Sequence, residues 1–225
     1  MKEFILTKYT TLKHLFIALL VCFLLLVFRV KTTHDYFGLF LVWNLFLAFI
    51  PLGIVWFIQF NKKLFLNPIK KFFVLVLWLL FLPNAPYVLT DLIHLSYSTS
   101  QWFVYDAIVI LTFAGISLYF GYQSILELRR LLKNTINKKL LNIATISVFI
   151  LCGFGIYLGR VVRFNSWDLV TNPFELFTTI LQFLINPVKH KLVWLFTLAF
   201  GILLNAGFYI FQLGHKSTRN YDSTQ

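Results

Sequence analysis

Residues 15–28 read LFIALLVCFLLLVF, fourteen consecutive apolar side chains without a charge. A membrane-crossing helix needs about 20 mostly apolar residues. The flanks extend this run to about residues 12–30 if Lys13 and Arg29 stretch their charged ends toward the two interfaces. Lysines precede the run as in a signal peptide, but residues 29–33 lack a small-residue cleavage site. The run therefore predicts a retained anchor, the first of several spans.

The composition of the whole chain indicates the same class of protein. Of its 225 residues, 59% are hydrophobic and 12% are charged, and the mean hydropathy is +0.79. Soluble chains contain roughly 45–50% apolar and about 25% charged residues. A soluble domain of this size exposes roughly a quarter to a third of its unfolded-chain area, so it cannot hide this much apolar surface. The composition also excludes a disordered chain and a disulfide-rich secreted one, and it predicts an all-α polytopic membrane protein.

Apolar runs divide the chain into six predicted spans and one shorter helix. Two prolines, Pro83 and Pro86, remove backbone donors, so the third helix must stop or bend there, and Pro51 is expected to kink the second. Residues 174–185 form a helical apolar stripe too short to cross, which predicts an interfacial or re-entrant helix, with a seventh span as the alternative. The whole chain, 1–225, is interpreted as a single membrane domain. The predicted spans are about residues 12–30, 36–60, 72–82, 103–126, 140–159 and 192–213.

The distribution of basic residues predicts the orientation of these spans. The chain has 20 Lys and Arg against 8 Asp and Glu. With six spans and both termini on one side, fourteen basic residues lie on that side and six on the other. Cytoplasmic loops carry the excess of Lys and Arg, so both termini are expected in the cytoplasm and the protein in the cell membrane.

The same charges bear on partners. No basic segment interleaves with aromatic side chains outside the apolar runs, which argues against nucleic-acid binding. Membrane lipid is therefore the expected partner, because basic loops meet anionic headgroups, and other envelope proteins are further candidates.

A first polar motif follows the third run, in the sequence LPNAPYVLTDLIHL at residues 82–95. Asn84, Tyr87, Asp91 and His94 recur every three or four residues and would share one face of a helix. Asp91 and His94 could ligate a metal, or the carboxylate could orient the imidazole for proton transfer. Further ligands are not local, so no metal and no cofactor is predicted. The structural alternative is a capped turn with Thr90 or Asp91 as N-cap.

A second polar motif ends the fifth run, in the sequence GFGIYLGRVVRFNSWD at residues 153–168. Its glycines are expected to permit close helix packing. Arg160 and Arg163 lie where basic residues are rare, and an arginine at the bilayer boundary needs a partner or water. Candidate partners are Asp91, Asp106 and Asp168, or the phosphate or carboxylate of a ligand.

These motifs together predict a polar cluster at the outer face. One interpretation is an ion-pair lock, meaning salt bridges that join helices without binding a ligand. A second is a binding or catalytic pocket. The third is that the residues of the two motifs do not contact each other. In a pocket, the catalytic candidates are His94, Asp91, Asp106 and Asp168, and Arg160 and Arg163 would bind the anion. The full predicted cluster is Asn84, Tyr87, Asp91, His94, Asp106, Arg160, Arg163, Asn165, Trp167 and Asp168.

Other polar residues in the apolar runs receive simpler interpretations. Asn44 is expected to bond across helices. Glu127, beside Arg129 and Arg130, is interpreted as part of a solvated cytoplasmic face. The sequence has no phosphate-binding glycine loop, H-E-x-x-H, G-x-S-x-G or paired C-x-x-C, which argues against ATP-driven transport, zincin proteases and serine hydrolases.

Both motifs, with Tyr105-Asp106 between them, resemble the bacterial integral-membrane family catalogued as domain of unknown function thirteen-sixty-one. The resemblance implies a bacterial inner or plasma membrane and supplies no activity or substrate. Three functions stay open at this point. They are a non-catalytic role in envelope assembly or as a partner subunit, an enzyme or binder of a lipid-linked anionic substrate at the outer leaflet, and a small-solute transporter with helices broken at Pro51 and Pro83.

Overall fold

The structure is a computed structural model that describes residues 2–36, 38–164 and 167–222. Within these ranges every regular element is helical and none is a strand, which confirms the predicted all-α fold. In chain order the elements are α1 (Lys2–Thr33), α2 (Phe40–Phe60), α3 (Lys63–Leu66), α4 (Pro68–Phe81), α5 (Asn84–Tyr87), a 3₁₀ helix (Val88–Tyr97), α6 (Phe103–Leu132), α7 (Lys138–Tyr157), a π turn (Leu158–Val162), α8 (Asp168–Thr171), α9 (Pro173–Ile185) and α10 (Lys191–Asp222).

Six stretches of the described chain are long and apolar enough to cross a membrane, so the prediction of six spans is confirmed. The third reaches Tyr97, well beyond the predicted 72–82, because helical turns resume after the proline break. The protein is a multi-pass membrane protein. The six stretches are Thr11–Thr33, Phe40–Phe60, Pro68–Tyr97, Phe103–Leu132, Lys138–Val162 and Lys191–His215.

The two proline sites behave differently. Helix α4 ends at Phe81, just before Pro83, as the missing backbone donors predict. The side-chain amide of Asn84 donates to the Phe81 carbonyl at 2.9 Å, which satisfies an acceptor at the break. In contrast, α2 continues through the buried Pro51 without ending.

The chain divides into two compact units, Met1–Glu127 (unit 1) and Leu128–Gln225 (unit 2). The core of unit 1 is apolar and joins α1, α2, α5, the 3₁₀ helix and α6. Helices α5 and α6 approach closely, since a Cβ on Gly121 would lie 2.8 Å from the Cβ of Ala85. The predicted single membrane domain over residues 1–225 stays a prediction.

Unit 2 is organised around α7 and α10, which pack antiparallel. Phe149 of α7 meets Phe208 of α10 at 5.3 Å between ring centroids, and Phe154 meets Trp194 at 6.0 Å. Between these contacts, a Cβ added to Gly153 would lie 2.5 Å from the carbonyl oxygen of Thr197. The expectation that a glycine of this motif permits close helix packing is confirmed at Gly153.

Helix α9 lies between the end of α7 and the start of α10 in the chain. Because α7 and α10 are antiparallel, those two points lie at the same end of unit 2. The 13 residues of α9 extend about 20 Å, short of the roughly 30 Å of a hydrocarbon core. The alternative of a seventh span is therefore excluded.

Candidate functional site

A bidentate ion pair joins α1 to α6 in unit 1. Arg29, one turn before the end of α1, donates from Nε to Oδ1 of Asp106 at 2.6 Å and from Nη2 to Oδ2 at 3.0 Å. Their side chains are 5% and 1% exposed. The expectation that Arg29 stretches toward the interface is therefore wrong, because its guanidinium is buried and paired with a carboxylate in fork geometry.

Neighbouring groups complete the hydrogen bonding of this pair. Arg29 also donates from Nη1 to the hydroxyl of Thr33. Ser98, directly after the 3₁₀ helix, donates to Oδ2 of Asp106 at 2.5 Å. The ring of Trp102 lies 4.9 Å from the guanidinium carbon, within cation–π range. The pair thus links α1, the start of α6 and the segment between the 3₁₀ helix and α6.

A second polar group joins α2 to the 3₁₀ helix. The carboxylate of Asp91, 1% exposed, accepts a hydrogen bond from the Asn44 amide at 2.8 Å. Nε2 of His94 lies 3.9 Å from the other oxygen, and the imidazole is 32% exposed and packs on Phe40 at 4.7 Å. The predicted bond of Asn44 across helices is confirmed. Neither Thr90 nor Asp91 acts as an N-cap. Asp91 lies within the 3₁₀ helix and faces α2, and the Thr90 hydroxyl donates to the Tyr87 carbonyl at 2.6 Å.

The side chains of this second group offer hydrogen bonding and proton exchange. A buried carboxylate beside a partly exposed imidazole can orient that ring for proton transfer. Among the described residues, no group of three or more His, Cys, Asp or Glu side chains is placed to hold a metal ion.

Of the remaining predicted site residues, Asn84 and Tyr87 are the first and last residues of α5 in unit 1, and the others belong to unit 2. Arg160 lies in the π turn and is partly exposed, and Arg163 is exposed at its end with a left-handed backbone, φ 71°. Trp167 is exposed, and Asp168 accepts a hydrogen bond from the Thr171 hydroxyl at 3.0 Å. Asn165 lies outside the described residues. The structure brings Asp91 and His94 together within unit 1, and the predicted convergence of the two motifs stays a prediction.

Glu127 is a buried polar residue that sequence reasoning missed. The interpretation as a solvated face is wrong, because Glu127 is only 3% exposed. Its carboxylate accepts hydrogen bonds from the amides of Gln59 at 2.7 Å and Gln123 at 3.0 Å. Asp106 and Glu127 are 21 residues apart on α6, about 31 Å along the axis, close to the thickness of a hydrocarbon core. Buried acids therefore mark both ends of the apolar part of α6.

We expect Glu127→Ala to lower the free energy of unfolding by about 3 kcal/mol, because the buried Gln123 amide and the partly buried Gln59 amide lose a charged acceptor. Glu127→Gln keeps an acceptor and should cost about 1 kcal/mol. Thermal unfolding of the purified protein measures both. The matched control is Glu175→Ala on the exposed surface of α9, expected within about 0.5 kcal/mol of the native protein. Equal unfolding temperatures for Glu127→Ala and Glu175→Ala would contradict the buried role.

The comparisons with known proteins bear on this same region. The model of the family described as protein of unknown function (DUF1361) matches residues 43–206. No curated protein and no solved structure matches the chain. The matched range contains the two polar motifs, Asn44 and Glu127, and Arg29 precedes it. Since it covers more than half of the sequence, the chain belongs to the DUF1361 family.

Proposed function

We propose that this protein has a structural or assembly role in the cell envelope, as a multi-pass protein of the cell membrane. The Arg29–Asp106 pair is then an ion-pair lock and not part of a ligand pocket. The observation that carries the proposal is the closure of this pair: both side chains are at most 5% exposed, and Thr33 and Ser98 take up further hydrogen-bonding positions. A group that binds a substrate must be reachable, and this pair is not.

The main effect of such an ion-pair lock is to determine which helices pack together. A buried salt bridge adds little net stability over apolar packing, but the loss of one partner costs about 3–5 kcal/mol because a charge stays buried alone. Arg29 and Asp106 are 77 residues apart in sequence, so their pairing selects one placement of α1 against α6. We infer that the pair specifies helix arrangement during membrane assembly.

The proposed topology places both termini in the cytoplasm. It is supported by the fourteen basic residues on that side against six on the other. The Arg29–Asp106 pair and the Asp91–His94 group then lie toward the outer leaflet. Membrane lipid and other envelope proteins are the proposed partners of the exposed helix faces.

The test is an exchange of charges in a strain that lacks its own copy of the gene. Arg29→Asp and Asp106→Arg are each expected to reduce the amount of protein in the membrane severalfold, because each leaves like charges buried together. The double exchange should restore most of it, with the deletion phenotype restored in proportion. The control is Lys31→Asp, which changes an exposed residue two positions away.

Two outcomes would overturn the structural role. One is normal abundance of Arg29→Asp with loss of the phenotype, since the pair would then act on a ligand. The other is normal abundance of His94→Ala with loss of the phenotype, which would favour an enzyme or binder of a lipid-linked anionic substrate.

A further inference from the structure

We propose that Arg160, Arg163 and α9 form a binding site for an anionic phospholipid of the surrounding bilayer. The lipid phosphate binds the two guanidinium groups, and its acyl chains lie along the exposed apolar face of α9. The site lies wholly within unit 2 and does not rest on the role proposed for the Arg29–Asp106 pair.

The packing of α9 places it at the end of α7 that leads into Arg160. Phe183 of α9 is buried, and its ring lies 6.1 Å from Tyr157 and 6.5 Å from Phe154 between centroids. Phe154 and Tyr157 lie in the last turn of α7, and Arg160 follows in the π turn. Helix α9 therefore packs on the last turn of α7, three residues before Arg160.

Arg163 supplies a second guanidinium at the same helix end. The chain leaves the π turn at Arg163 in the left-handed conformation, and the Phe164 N–H closes the end on the Leu158 carbonyl at 3.0 Å. The side chain of Arg163 is exposed, and that of Arg160 is partly exposed. Arginine presents a planar set of donors that matches phosphate oxygens, so two arginines three residues apart suit a phosphodiester.

The free face of α9 suits acyl chains. Large apolar side chains follow one another at helical spacing and are all exposed, and residues 164–188 contain no Lys, Arg or His. A short helix with one face packed on protein and another apolar face open is typical of helices that lie in the bilayer interface. The exposed apolar residues of this face are Phe174, Phe177, Leu181 and Leu184.

The charge around the site favours an anionic over a zwitterionic lipid. His190 packs on Phe183 at 4.9 Å, which brings its chain neighbours Lys189 and Lys191 to the same end of unit 2. From residue 160 to 191 the chain has four basic and two acidic side chains. Basic residues at the membrane surface attract anionic headgroups.

The test measures lipid retention by the full chain in nanodiscs that contain equal amounts of phosphatidylglycerol and phosphatidylcholine. After extraction into mild detergent, native mass spectrometry counts the lipids that remain bound. The native protein should retain phosphatidylglycerol in preference. The variant Arg160→Gln/Arg163→Gln should bind it roughly thirtyfold more weakly, and Arg160→Lys/Arg163→Lys should lie between, because lysine keeps the charge but loses the fork. The matched control is Lys138→Gln/Lys139→Gln, the same charge loss at the start of α7, expected within about twofold of the native protein.

Two further measurements show whether the site binds a lipid or a free anion such as inorganic phosphate. Phe177→Asn/Leu181→Asn should weaken retention of phosphatidylglycerol while leaving both arginines in place. Millimolar inorganic phosphate should not displace the lipid. The proposal is overturned if inorganic phosphate displaces phosphatidylglycerol, or if Arg160→Gln/Arg163→Gln and the control Lys138→Gln/Lys139→Gln weaken lipid binding equally. It is also overturned if Phe177→Asn/Leu181→Asn retains phosphatidylglycerol as the native protein does. The arginine-to-lysine variant keeps the test decisive if the glutamine variant fails to fold.

Discussion

Replacing Arg29 with alanine is expected to lower the free energy of unfolding by about 3–5 kcal/mol, among the largest effects of any single substitution in unit 1. The change leaves the Asp106 carboxylate buried with the Ser98 hydroxyl but without its guanidinium. It also removes the donor to Thr33 and the cation that lies over Trp102. Thermal unfolding of the purified protein in detergent, followed by loss of soluble monomer, measures the effect.

The double variant Arg29→Met/Asp106→Leu separates the loss of a partner from the loss of the pair. Replacing both charges with apolar side chains of similar volume is often neutral, so this variant should unfold within about 1 kcal/mol of the native protein. The control is Lys31→Ala, an exposed residue two positions along α1. If Arg29→Ala is no less stable than Lys31→Ala, the pair does not hold α1 in place.

Much of the fold was predictable because apolar runs of about 20 residues are a strong signal. The proline break after Phe81 was also predictable, since a missing backbone donor has few structural solutions. The extension of the third span to Tyr97 was not. Residues 88–97 contain Thr90, Asp91 and His94, so their hydropathy resembles that of a loop, and only the contact of Asp91 with Asn44 shows why these polar residues belong to the bundle.

The sequence does contain a pattern that indicates the burial of Arg29 and Glu127, namely the spacing of other buried residues along the same helices. Asp106, Phe113, Phe120 and Glu127 follow one another at intervals of seven residues, and all four are buried. Residues seven apart fall on the same side of a helix, which makes the face of Glu127 predictable from the two phenylalanines. A charge at the end of such a row is expected to face the core.

The same spacing applies to α1, where Leu15, Cys22 and Arg29 are seven apart and buried. The sequence predicts an interfacial position for Arg29, because a basic side chain at the end of a span usually lies at the interface. This periodicity does not identify the residue with which Arg29 forms its ion pair. That Arg29 faces Asp106, 77 residues away, depends on how α1 and α6 are placed against each other, and no local pattern encodes that placement.

The second large effect is expected from Gly153→Val in unit 2, which should lower the free energy of unfolding by about 3 kcal/mol. A Cβ at this position would lie 2.5 Å from the Thr197 carbonyl oxygen and 3.3 Å from the backbone nitrogen of Gly201. Both are backbone atoms of α10, so no side-chain rotation relieves the clash, and α7 and α10 must separate. The separation would also weaken the aromatic contact between Phe154 and Trp194.

The matched control is Gly115→Ala on α6, where an added Cβ meets nothing within 4 Å. Alanine is favoured over glycine inside a helix by about 1 kcal/mol, so this variant should unfold at or above the native temperature. Both variants lose a helical glycine, and only the side chain at position 153 meets backbone atoms of a neighbouring helix. A Gly153→Val protein that unfolds at the temperature of Gly115→Ala would mean that α7 and α10 do not approach at Gly153, and the antiparallel packing that places α9 and the two arginines at one end of unit 2 would lose its main support.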